Sequence, residues 1–131
     1  MPSALIEVRR QYSQRDEIAI IDAVHDALVA AFRIPVGDKH VRLLVHEPHR
    51  FAHAPYLEHP RRYTLVTIDC FAGRSVDAKR ELYREIVNRL GAFDIPSNHI
   101  TILLRESALE NWGIRGGQAA CDVDLGFDVN V

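Results

Sequence analysis

Cysteine is nearly absent from this chain. Cys70 and Cys121 are the only two among 131 residues, and they form no CxxC spacing, so neither a disulfide framework nor a thiolate zinc site is indicated. Charge of one sign is not in excess either. The formal net charge is −2, which removes the bulk electrostatic case for nucleic acid or an anionic membrane as partner. No apolar run approaches the ~20 residues of a membrane span, and Met1-Pro2-Ser3-Ala4-Leu5-Ile6-Glu7 lacks the charged-then-apolar layout of a signal peptide. These absences set the expectation of a cytoplasmic protein. What is present is 47% apolar residues, enough for one core without covalent staples, and the expectation is a single domain over residues 1–131.

The second residue carries the sharpest chemical possibility. Removal of Met1 would leave Pro2 with a free secondary amine. An α-amino group titrates near ~7.7–8.0, and apolar walls and neighbouring cations lower an amine further. Such a group is a neutral base close to physiological pH, the condition that general base catalysis requires. With Met1 retained, the same nitrogen belongs to an amide and has no basicity.

The chain also repeats itself. His40-Val41-Arg42-Leu43-Leu44-Val45-His46-Glu47 aligns with His99-Ile100-Thr101-Ile102-Leu103-Leu104-Arg105-Glu106 at an offset of 59 residues, and Ile-Pro precedes each copy (Ile34-Pro35 and Ile95-Pro96). A short strand at Ala4–Val8 corresponds to one at Tyr63–Phe71, both rich in strand-forming residues. Between strands, Ser13 with Asp16 predicts the start of a helix, and apolar residues at Ile18, Ile21, Val24, Leu28 and Ala31 predict its buried stripe. A second helix opens at Ser75 with Asp77 in its first turn, and Leu82, Tyr83, Ile86, Val87 and Leu90 form its stripe. Each Ile-Pro pair marks the end of a helix. The reading is an α/β chain of two fused β-α-β units, about residues 3–48 and 63–107, with helices on one face of a mixed sheet. The connector 48–62, with three prolines and three histidines, predicts irregular structure, and the tail 111–131 predicts a hairpin or strand that packs on a neighbouring subunit.

Two β-α-β units, an amino-terminal proline and the run Phe71-Ala72-Gly73-Arg74-Ser75 together resemble the tautomerase superfamily, in particular its longer fused members around malonate semialdehyde decarboxylase. The resemblance runs from Pro2 through Asn111-Trp112-Gly113 into the tail and is weakest in the linker. It implies Pro2 as catalytic base or acid, Arg74 as the holder of a substrate carboxylate, and Asp38 as a second catalytic group that orients substrate or water. It implies Trp112 as an apolar pocket wall and assembly as a homotrimer; Arg115, between Ile114 and Gly116, fits either a second cation near the site or a surface arginine. No cofactor is implied. The decarboxylase pattern has two arginines separated by one residue where this chain has Ala72 and Arg74, so Arg74 speaks for carboxylate binding rather than for decarboxylation.

From the residues alone, Arg74 lies between a strand and a helix start, where a guanidinium and backbone amides both attract anions. A lone tryptophan beside glycines also serves as a core or interface anchor, and Asp38 beside Lys39 and His40 also fits a solvated turn. His46, His49 and His53 stand at metal-like spacing, but Pro48 interrupts them and no carboxylate–histidine motif accompanies them, so no metal is expected. His25 reads as a partly exposed helix residue. The expected function is keto–enol tautomerisation of a small oxo or enol carboxylate. Decarboxylation or hydration with Pro2 as general acid is the nearest alternative, and a non-catalytic ligand-binding or assembly domain is an alternative of another class.

Overall fold

The computed structural model describes residues 1–131. Its elements run strand β1 (Pro2–Val8), helix α1 (Gln14–Phe32), strand β2 (Val41–Val45), strand β3 (Thr64–Phe71), helix α2 (Val76–Leu90), strand β4 (Ile100–Ser107), and two short strands β5 (Gly113–Ile114) and β6 (Gln118–Ala119). The four long strands form one mixed sheet in the order β2-β1-β3-β4. Each outer pair is parallel, as a β-α-β crossover requires. The two copies meet antiparallel at the centre, with Pro2 opposite Cys70 and Val8 opposite Thr64. That junction places the start of β1 beside the end of β3.

Alternation along the strands assigns the two faces. Ala4, Ile6, Val8, Val66, Ile68 and Cys70 point into one core with Ile20, Val24, Leu28, Leu82, Ile86 and Leu90 of the two helices, which pack side by side. Full burial of one such aliphatic side chain contributes ~1.5–3 kcal/mol. The opposite face carries Leu5, Leu44, Leu65 and Leu103, and Leu44 and Leu103 remain 46% and 50% exposed.

Both helix starts follow from the sequence. The hydroxyls of Ser13 and Ser75 accept the backbone N–H of Asp16 and Ala78, each at 3.1 Å. Arg33 closes α1 in a left-handed conformation with its N–H on the Val29 carbonyl, and Ile34 and Ile95 then turn inward as core residues. Of the expected stripe of α1, Val24, Leu28 and Ala31 are buried and Ile21 packs against the core, and Ile18 alone departs. Ile18 is 53% exposed and Ile20 fully buried, because two residues turn the helix by about 200°. In α2, Leu82, Ile86 and Leu90 are buried, while Tyr83 and Val87 lie one position round at the stripe's edge. His25 is not partly exposed; it is 3% exposed, and its Nε2 lies 2.7 Å from the Val36 carbonyl.

The connector holds only single 3-10 turns at Pro48–Arg50 and Pro60–Arg62. The tail forms its hairpin at β5 and β6, not at residues 125–129. There the side chains of Asp124 and Asp128 accept the N–H groups of Gly126 and Asn130, and these turns break any extended run. Within the chain, Phe127 packs on the core, and Ser75 N–H donates to the Val131 carbonyl at 2.8 Å. No helix is long and apolar enough to cross a membrane.

Candidate active site

A cavity of about 280 Å³ opens where β1 begins and β3 ends. Met1, Asp38 and Arg115 supply its polar lining, and Phe71, Ile114, Leu125 and Phe127 its apolar walls. Asp38 is placed by the turn after α1, where its N–H donates to the Pro35 carbonyl at 3.0 Å. One carboxylate oxygen of Asp38 receives the amino group of Met1, and the other lies 3.0 Å from Nε2 of His40. The Asp38 side chain is only 14% exposed, so these charges meet in a sheltered setting where Coulomb attraction is stronger than in open water. Pro2, one residue further in, is buried at the head of β1.

Arg74 lies beneath this region and does not line the cavity. It is 5% exposed, with its guanidinium 4.8 Å above the ring of Phe32 and Nη1 donating to the Phe71 carbonyl at 3.1 Å. Nε and Nη2 have no partner. These two nitrogens form the same edge of the guanidinium, the fork that grips a carboxylate with two parallel hydrogen bonds. Burial holds the Arg74 guanidinium below its ordinary pKa, and the nearby Cys70, Glu106 and Asp38 partly offset that effect. Burial likewise pushes the Cys70 thiol up.

Trp112 stands one ring behind the cavity wall. Its indole meets Phe71 edge-on, with centroids 5.0 Å apart and planes at 78°, and its Nε1 donates to Ser107 Oγ at 2.8 Å. Phe71 and Ile114 therefore form the wall, and Trp112 fixes Phe71. Arg115 reaches the cavity from the β5–β6 turn in a left-handed conformation, and its Nη1 donates to the Asp124 carbonyl at 2.7 Å. It thereby ties down the tail segment that carries Leu125 and Phe127.

The fold thus gathers Met1, Asp38 and Arg115 around one cavity, with Pro2 buried next to Met1 and neither Arg74 nor Trp112 in the lining. The sequence reading missed Phe71 and Ile114 as walls, Phe32 under Arg74, and His40 on Asp38. Leu125 and Phe127, expected at a subunit contact, both line this cavity within the chain. Phe71 could have been found from its place at the end of a strand two residues before Gly73; the others depend on the return path of the tail. No group of three or more His, Cys, Asp or Glu side chains is placed to hold a metal ion.

A family model described as tautomerase enzyme matches residues 38–115. No curated protein matches the chain in sequence. Among solved structures, the chain is similar to FG41 malonate semialdehyde decarboxylase inhibited by 3-bromopropiolate, at 27% identity and a TM-score of 0.79, covering 89% of this chain and 92% of that one. A second malonate semialdehyde decarboxylase matches at 19% identity and a TM-score of 0.82, over 93% of this chain and 99% of that one. A fused 4-OT wild type, a symmetric trimer, matches at 19% identity and a TM-score of 0.80, over 90% and 95%.

Proposed function

This chain belongs to the tautomerase family, and we propose that it moves a proton between oxygen and carbon of a small oxo or enol carboxylate, with the amine of Pro2 as the acting group once Met1 is removed. The observation that carries this reading is the position of the chain's amino group. It lies in the cavity against Asp38, so loss of Met1 would enlarge the cavity and turn the Pro2 nitrogen into a free amine at its base. A substrate carboxylate would meet Arg115 at the cavity and the unpaired Nε–Nη2 fork of Arg74 below it. Phe71 and Ile114, steadied by Trp112, would exclude water and favour the neutral amine. Asp38 would orient the substrate or a water, and His40 would hold Asp38 in place.

A second reading, decarboxylation or hydration of a 3-oxo acid with Pro2 as general acid, is favoured by the likeness to FG41 malonate semialdehyde decarboxylase and by the anion beside the amine, which supports a protonated Pro2. Ultraviolet absorbance with a panel of enol and oxo acids separates the two. Ketonisation of an enol acid that is lost in Pro2→Ala supports the first reading; turnover of 3-oxo acids alone replaces it with the second.

We also infer a homotrimer, supported by the trimeric fused 4-OT of like fold and by the open sheet face with Leu44 and Leu103 half exposed. Light scattering should give the mass of three chains, and Leu103→Asp should yield smaller species. A full-length monomer would overturn it.

A further inference from the structure

A second cavity, of about 320 Å³, lies at the far end of the sheet and has no apolar residue other than Pro60 in its lining. Arg10, His59, Arg61 and Arg62 line it, together with Pro60 and a single acid, Glu58. Arg10 follows β1 by two residues, so at ~3.3 Å per residue the cavity lies roughly 25 Å from Pro2. It is a separate place from the candidate active site and owes nothing to the reading given for that site.

The segment that builds it is firmly held. Leu57 is buried, the N–H of His59 donates to Nε2 of His99 at 3.0 Å, and Arg9 Nη1 donates to the Pro60 carbonyl at 2.7 Å. Arg62 is occupied, with Nη1 donating to the Phe93 and Asp94 carbonyls at 3.3 and 3.0 Å. The guanidinium of Arg10 rests 5.1 Å over the ring of Tyr12. Neither Arg10 nor Arg61 forms a hydrogen bond or ion pair with any group of the chain, and Glu58 is paired with neither. Arg10 and Arg61, without a counter-charge, therefore line a polar hollow together with the occupied Arg62, His59 and one carboxylate, Glu58. Like charges held together without counter-charge oppose folding, and a bound anion relieves that cost.

We propose that this hollow binds a small phosphate-bearing polyanion of the diphosphate or phosphate-monoester class. The donors come from two directions, the end of β1 and the 58–62 segment. A tetrahedral oxyanion accepts donors from several directions, whereas a planar carboxylate is best served by one guanidinium fork. Apart from Pro60 the lining is polar, which leaves no pocket for an apolar tail. The volume suits a ligand larger than one phosphate ion.

Titration calorimetry of the full chain with inorganic pyrophosphate at low ionic strength tests this. One saturable site per chain is expected, weakened about tenfold or more in R10Q/R61Q, since each variant removes a charged hydrogen bond. Circular dichroism shows whether that pair folds, and Arg61→Gln alone, at an exposed residue, gives the same reading if it does not. Citrate, a polycarboxylate of comparable charge, should bind at least about tenfold more weakly than pyrophosphate. No binding, equal affinity in the arginine variants, or citrate binding as tightly as pyrophosphate would each overturn the assignment.

Discussion

Arg74 lies with its guanidinium 4.8 Å above the ring of Phe32, inside the protein, with two of its three nitrogens unpaired. A buried cation with idle donors costs stability, and the proposed carboxylate substrate would satisfy it. Arg74→Ala should lower kcat/KM by about 10- to 100-fold, the size of a lost charged hydrogen bond, with much of the loss in KM. Arg74→Met, which fills the space without the charge, should keep or raise the melting temperature while losing the same activity. Unchanged kcat/KM on every accepted carboxylate would return Arg74 to a structural role.

Gly73 ties the tail to the Arg74 loop. Its φ of +136° suits glycine, and a Cβ there would stand 3.0 Å from Asn130 Oδ1 and 3.3 Å from the Val129 carbonyl. Gly73→Ala should therefore destabilise the fold by about 1–3 kcal/mol and loosen residues 125–131, raising KM as Leu125 and Phe127 leave the cavity. Urea unfolding and hydrogen exchange of the tail amides check both parts. Wild-type protection of the tail in the variant would contradict the contact.

His99 gives the stability a pH dependence. Its Nε2 accepts the His59 N–H, so Nδ1 carries the proton toward Asn98 Oδ1 at 2.7 Å and the ring is neutral. Burial above all, and then His59, hold its pKa below the ordinary 6.5. The unfolded chain thus takes up this proton at a higher pH than the folded one. The contribution is fully present above about 6.5 and is lost as pH falls through the lower, folded value. Urea midpoints measured across this range should decline toward acid in the wild type and decline less in His99→Gln. Equal slopes would remove His99 from the account.

The repeat made most of the fold legible. The 59-residue offset, the serine caps and the Ile-Pro pairs correspond to two β-α-β units and a pseudo-symmetric sheet. Only Ile18 of the α1 stripe was misplaced, because Ile18, Ile20 and Ile21 are all apolar and packing against the sheet decides that Ile18 faces out. For the candidate residues, the positions at element ends were legible: Pro2 at the head of β1, Asp38 in the turn after α1, Arg74 just before the cap of α2. The cavity walls were not. Leu125 and Phe127 alternate as in a strand, but the Asp124 and Asp128 turns bend the tail back onto its own chain, a tertiary contact that local pattern does not encode. His25 was misjudged because its partner, the Val36 carbonyl, comes from a loop beyond its own helix.

The proposed chemistry requires a free amine at Pro2, and the intact mass of purified, catalytically active protein measures this directly. Every active chain should be lighter than the encoded sequence by one methionine residue, and Pro2→Ala, which keeps a free amine of different basicity and rigidity, should lose activity mainly in kcat. Full activity in a preparation whose chains all retain Met1 would contradict the account, because an amide nitrogen at Pro2 cannot accept a proton.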